Sequence, residues 1–267
     1  MNGFVLSLKS EFYKSRKTLA FWAAILLPFL LLLFTSVGYY ANSEKLINAP
    51  GMVNWFRFAG VPLGVMGTLL LPMFVIFIAY SVNSIEHKAD TWKTLFSLPI
   101  SKWTVYSAKF FYALSLVFIS MMLFALFTIA FGNLLGLIVP EFKFAEYHME
   151  WVLLQIYFKF FLSALGILSI QFLFSLVWSD FLKPMGIGFL LFISGVVAAG
   201  KDWKYAYTIP YAHPMLAFKS MFPPGKRSGP ATQIEVDVFT HDVFISLGVS
   251  VVVFIVGFYV VQKKSVK

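Results

Sequence analysis

No cysteine occurs among the 267 residues, so disulfides, thiol nucleophiles and thiolate metal sites are all excluded. Charge is scarce as well: Asp, Glu, Lys and Arg make up 12% of the chain, about half the share of an ordinary soluble domain. The four histidines, His87, His148, His213 and His241, are scattered, with no i,i+4 pair and no His-Glu-x-x-His run to hold a catalytic metal. A phosphate-binding loop is missing, because Gly225-Lys226-Arg227 lacks the earlier glycine that lets backbone N–H groups approach a phosphate. The chain is therefore not expected to hydrolyse ATP by itself, nor to bind a cofactor or metal. No His lies within an apolar run to serve Ser194-Gly195 as an intramembrane hydrolase, and no matched pair of broken helices signals an inverted-repeat transporter. The N-terminus lacks a short apolar core with a cleavage site, and its first span is read as retained.

What the sequence has in abundance is apolar surface, with 60% hydrophobic and 19% aromatic residues. It falls into runs that reach the ~20 residues a helix needs to cross ~30 Å of hydrocarbon. Six spans are expected, at about 18–40, 58–84, 107–131, 151–178, 183–200 and 243–261, in one all-α polytopic membrane domain. Pro62 and Pro72 remove backbone donors inside the second span and predict a kink. Gly132-Asn133 is expected to end the third, and Gly186, Gly188 and Gly195 give the short fifth span a surface for close helix contact. Before the first span, Phe4, Val5, Leu8 and Phe12 recur at helical spacing among Lys9, Lys14, Arg16 and Lys17. Residues 1–17 therefore read as an interfacial amphipathic helix or as a basic flank that orients the first span.

The net charge of +9 is explained by topology rather than by nucleic acid, since the basic residues sit at segment ends. Placing both termini in the cytoplasm puts Lys9, Lys14, Arg16, Lys17, Lys88, Lys93, Lys102, Lys109, Lys183, Lys263, Lys264 and Lys267 inside. They face only Glu11, Glu86, Asp90 and Asp180. The outer segment 201–242 carries Trp203, Tyr205, Tyr207, Tyr211 and Phe218 with Pro210 and Pro214, a pattern that fits an aromatic belt or a membrane-dipping lid. Pro223-Pro-Gly-Lys-Arg-Ser-Gly-Pro230 reads as an exposed turn. Lys159 is the one ionisable residue well inside an apolar run, either snorkelling to the interface or facing a cavity that favours anionic or carbonyl-bearing substrates.

Between the second and third spans lies a charged amphipathic insert, Glu86 to Ser101, for which the bilayer has no packing need. Leu95, Phe96, Leu98 and Ile100 offer an apolar surface, and Glu86, Lys88, Asp90 and Lys93 offer charges that set register against a soluble partner. Trp92 and Pro99 complete the segment.

The basic N-terminus Ser7-Leu-Lys-Ser-Glu-Phe-Tyr-Lys-Ser-Arg-Lys17, the six spans, Glu86, Leu95-Phe-Ser-Leu-Pro-Ile-Ser-Lys102 and Ala108-Lys109 together resemble the permease subunits of ABC-2 type exporters. The best match is the subgroup of bacterial permeases associated with lantibiotic or peptide-antibiotic export and self-protection. The resemblance implies that a separate ATPase subunit, carrying the ATP and Mg, docks on residues 86–102 as a coupling helix. It also implies a second permease, identical or homologous, with the substrate path between the two. Candidates for that path are Pro72, Lys159 and Gly188. Location in the bacterial inner membrane among its lipids, and export of a hydrophobic or amphipathic peptide, drug or lipid-like molecule, follow from the same resemblance. The alternative from another class is a structural or regulatory membrane subunit that couples to an ATPase without moving substrate.

Overall fold

A computed structural model describes residues 3–97, 99–221 and 236–263. Every regular element among them is helical, and six helices are long and apolar enough to cross a membrane. In chain order the helices of six or more residues are α1 (Gly3–Ser15), α2 (Leu19–Ala41), α3 (Gly51–Ala89), α4 (Trp92–Ser97), α5 (Lys102–Ile138), α6 (Glu150–Val177), α7 (Leu182–Gly200), α8 (His213–Met221) and α9 (His241–Lys263). The spans are α2, α3, α5, α6, α7 and α9. Thr18 starts α2 and Ser101 starts α5, each accepting a hydrogen bond from the backbone N–H three residues on, at 3.4 and 3.1 Å.

The central helix is α6, which packs against α3, α5 and α9. Small residues let α9 lie close to it. Ser246 donates to the Leu162 carbonyl at 2.9 Å and accepts from the Gly166 N–H at 2.9 Å, and a side chain on Gly166 would press on Ser246 and Pro210. At the periphery, α2, α7 and α9 keep most of their apolar surface exposed, as helices facing lipid or another subunit do.

The second span is one continuous helix from Gly51 to Ala89 with a π-helical turn at Met66–Leu70, flanked by Pro62 and Pro72. One expectation changes. The third span does not end at Gly132-Asn133; α5 runs on to Ile138, for 37 residues. Gly132 instead leaves room for the Trp55 indole, which would collide with any Cβ there. Trp55 donates to the Phe144 carbonyl at 2.9 Å, and Asn54 donates to the Phe142 carbonyl at 3.1 Å and accepts from the Tyr39 hydroxyl at 3.0 Å. These contacts tie α2, α3 and the short turns after α5 together at the end of the bundle far from α1.

Between α7 and α9 the chain turns back into the bundle. The turn at Pro210–Ala212 rests against Gly195, five residues short of the end of α7, where a Cβ would strike the Tyr211 carbonyl. Helix α8 then climbs out, with Phe218 filling the space above Gly67 in the π turn. Buried Tyr211 reaches inward to accept a hydrogen bond from the Gln171 amide at 2.6 Å. The described part of the segment packs back against α6 and α7, while Trp203 and Tyr205 on its rim remain half-exposed. The Pro223–Pro230 turn, and Lys226 and Arg227 with it, lie outside the described residues.

Candidate functional site

At the α1 end of the bundle four charged side chains from three helices form a closed, neutral ring. Lys14 on α1 pairs with Glu11 at 2.6 Å and with Glu86, in the last turn of α3, at 2.7 Å. Lys109, early in α5, pairs with Glu11 at 2.9 Å and with Glu86, and donates to the Val82 carbonyl at 3.3 Å. Lys109, Glu86 and Glu11 are buried. Each buried charge thus meets two of opposite sign, the condition under which taking ions out of water is tolerated. The Ser15 hydroxyl adds a bond to the buried Tyr112 hydroxyl on α5.

Burial works against the Lys14 ammonium, but the Glu11 and Glu86 carboxylates outweigh it and hold its pKa above the ordinary lysine value. A raised lysine pKa contributes stability that is fully present below the ordinary value and is lost only as pH rises through the folded one. Lys14 therefore keeps α1 fastened across the whole neutral range.

Glu86 is accordingly not an exposed register charge; it is an internal fastener. Residues 86–102 are likewise not one helix. Glu86 to Ala89 finish α3, and Asp90 takes a left-handed conformation (φ 47°) with its N–H on the Glu86 carbonyl. The chain then restarts as the six-residue α4 and meets the Ser101 cap of α5. Lys88, Asp90 and Pro99 are exposed, so two of the predicted register charges do face outward. Leu98 and the side chains of Lys93 and Phe96 lie outside the described residues. Leu95 and Ile100 face Leu6 and Ser10 of α1 across a crevice of about 190 Å³, closed at its inner wall by Glu11 and Lys14.

Trp92 binds α4 to the bundle. Its ring lies 5.6 Å from the Lys109 ammonium, and its indole N–H donates to His87 Nδ1 at 3.0 Å. The other ring nitrogen of His87 lies 2.9 Å from the Ser175 carbonyl near the end of α6. Ser175 in turn accepts from the Asn83 amide at 2.8 Å and donates to the Ala79 carbonyl at 2.9 Å.

The three path candidates are packed within the protomer. Pro72 is buried beside the π turn, and Gly188 is covered by the Gln171 amide. Lys159 neither snorkels to water nor faces an open cavity. Its buried ammonium donates to Ser220 on α8 and to the Asp237 carbonyl, both at 2.7 Å, and so pins the chain on either side of residues 222–235 to α6. Lys159→Met removes both bonds and is expected to raise amide exchange across His213–Met221 and around Asp237 while leaving the bundle folded. Unchanged exchange there would contradict this reading. Among the described residues no group of three or more His, Cys, Asp or Glu could hold a metal ion.

The family model for the ABC-2 family transporter protein matches residues 7–195, well over half of the chain. The chain belongs to the ABC-2 transporter family. No curated protein and no solved structure gives a significant match. The match begins inside α1 and ends inside α7, so it takes in the ion ring, α4 and the Trp92–His87 joint of this ABC-2 chain. As a family member with six apolar helices it is a multi-pass membrane component of a transport system.

The ring was legible only in fragments. Glu11 is the sole acid in a basic amphipathic helix and sits three residues before Lys14, and Lys109 interrupts an apolar run; both looked like topology charges. The His87–Ser175 and Gln171–Tyr211 bonds join residues 88 and 40 positions apart and carry no local signal.

Proposed function

We propose that this ABC-2 chain is the permease half of an ATP-driven exporter, driven by a separate ATPase that docks on the face formed by α1, α4 and the turn before α5. The observation that carries the reading is the joint itself. A short exposed helix is fastened through Trp92 to His87 of α3 and Lys109 of α5, at the point where buried ion pairs join α3 and α5 to α1 and His87 meets α6; that suits a lever and is more than a surface loop requires. The apolar rim of Leu95 and Ile100 fits a partner's groove, and Lys88 and Asp90 beside it supply register. The ATPase brings the ATP and Mg, for which this chain has no phosphate-binding loop.

The basic residues at the α1 end support a cytoplasmic placement of that end and of both termini, in a bacterial inner membrane. The end of α9 lies beside it, since Lys102 donates to the Gln262 carbonyl at 3.4 Å. The apolar faces of α2, α7 and α9 suit lipid and a second permease. With Pro72, Gly188 and Lys159 packed inside one protomer, the route for a hydrophobic or amphipathic cargo lies between two, as for the lantibiotic subgroup. In inverted vesicles carrying the complex, ATP is expected to drive uptake of a fluorescent amphipathic peptide. ATP hydrolysis with no uptake of peptide, drug or lipid probes would favour the regulatory subunit instead.

A further inference from the structure

His87 stands between the α4 lever and the core helix α6, and its two bonds fix its chemistry. An indole N–H only donates, so the Nδ1 that meets Trp92 at 3.0 Å must present a lone pair. A carbonyl only accepts, so the Nε2 that meets Ser175 at 2.9 Å must carry the hydrogen. Both bonds exist together in one state only, the neutral ring protonated on Nε2. A second proton on Nδ1 would point an N–H at the Trp92 N–H and break the link to α4 while sparing the link to α6.

We propose that Trp92 and His87 are positioning residues that form a proton-sensitive clutch: neutral His87 locks the coupling helix α4 to the end of α6, and protonation releases it. The proposal rests on the reading of α4 as the lever, and names how its grip on the spans is regulated. Released from His87, Trp92 keeps its contact with Lys109 on α5, so α4 stays joined to α5 by that contact and to α3 by the chain, and loses its side-chain tie toward α6. A push on α4 would then lack the direct route through His87 to α6, the helix on which α3, α5 and α9 pack.

Charged groups surround the joint from each element packed on it. On its own helix His87 has Glu86 and Lys88 as neighbours, and Asp90 and Lys93 follow in the sequence. From α1 and α5 come Glu11, Lys14 and Lys109, whose charges cancel with that of Glu86 in the ring. Val261 of α9 lies near Trp92, with Lys263 two residues on and Lys102 bonded to Gln262, and Asp180 follows the end of α6.

The absence of cysteine allows a direct test. Cysteines introduced at exposed Thr94 and Ser179 carry spin labels, in chains diluted with unlabelled copies in nanodiscs, and the distance between them is followed by pulsed electron resonance. Titration from about pH 8 to about pH 5 brackets the ordinary histidine value of ~6.5, over which the charged ring gains more than a hundredfold on the neutral one. A single short distance at high pH is expected to lose several-fold in population at low pH. Trp92→Phe, which keeps an aromatic ring over Lys109 and loses the N–H, should show the longer distances at every pH. His87→Asn, whose amide oxygen replaces the Nδ1 acceptor and does not titrate, should keep the short distance throughout. A wild-type distance that ignores pH, or a His87→Asn variant that shifts with pH as the wild type does, would overturn the clutch. No ATPase takes part in this measurement, so its failure is separate from a failure of the docking reading.

Discussion

Lys109→Met is expected to destabilise the protein by about 3–5 kcal/mol, the range for removing one partner of a buried ion pair. The substitution roughly conserves side-chain volume, so the loss is electrostatic. Glu11 and Glu86 would be left buried, with only the partly exposed Lys14 between two negative charges. Because the ring joins α1 to α3 and α5, the damage should be directional. Proteolysis or amide exchange should detect a loosened α1 before any loss of the far-end contacts around Trp55. Replacing the three buried members of the ring together gives the opposite result. Lys109→Met combined with Glu11→Gln and Glu86→Gln leaves no uncompensated carboxylate, and should recover more than half of the lost stability, seen as a recovered apparent melting temperature. A triple variant no more stable than Lys109→Met would mean that the ring is not what holds these helices.

The second large effect concerns the lever's outer face. Leu95→Asp combined with Ile100→Asp is expected to abolish ATP-driven transport and ATPase binding by tenfold or more, while membrane insertion and melting stay close to wild type. Both side chains border the crevice between α1 and α4, so two new carboxylates there would meet a partner's apolar surface with uncompensated charge. The same site in the isolated permease is open to water, where a carboxylate costs little. Loss of assembly with retained stability therefore separates docking from folding. Charge reversal at Lys88 and Asp90 should act more mildly, because rim charges are screened and chiefly set the association rate.

The spans were legible because hydropathy is a local property, and the bilayer's thickness fixes the length of any helix that crosses it. The features that convert them into a device depend on pairing between distant residues. Glu86 shows the difference: its charge and position suggested an outward contact, and only the approach of Lys14 and Lys109 turns it inward. Gly132-Asn133 had the composition of a helix stop, yet the missing side chain serves Trp55, 77 positions away in the sequence. Two prolines in one span pointed to a kink, but not to a π turn between them packed by Phe218 from the segment after α7. For Lys159, sequence left snorkelling or a cavity, and the structure supplied a third arrangement through α8 and the Asp237 carbonyl.

The central claim is that a separate ATPase drives this chain through α4. Its most direct test is to purify the wild-type chain from its native membrane under mild conditions and measure which subunits accompany it in stoichiometric amount. The account predicts an ATP-hydrolysing cassette subunit, retained by wild type and lost from the Leu95→Asp, Ile100→Asp variant. A stable, monodisperse chain with no such subunit, or one bound equally well by the variant, would contradict it.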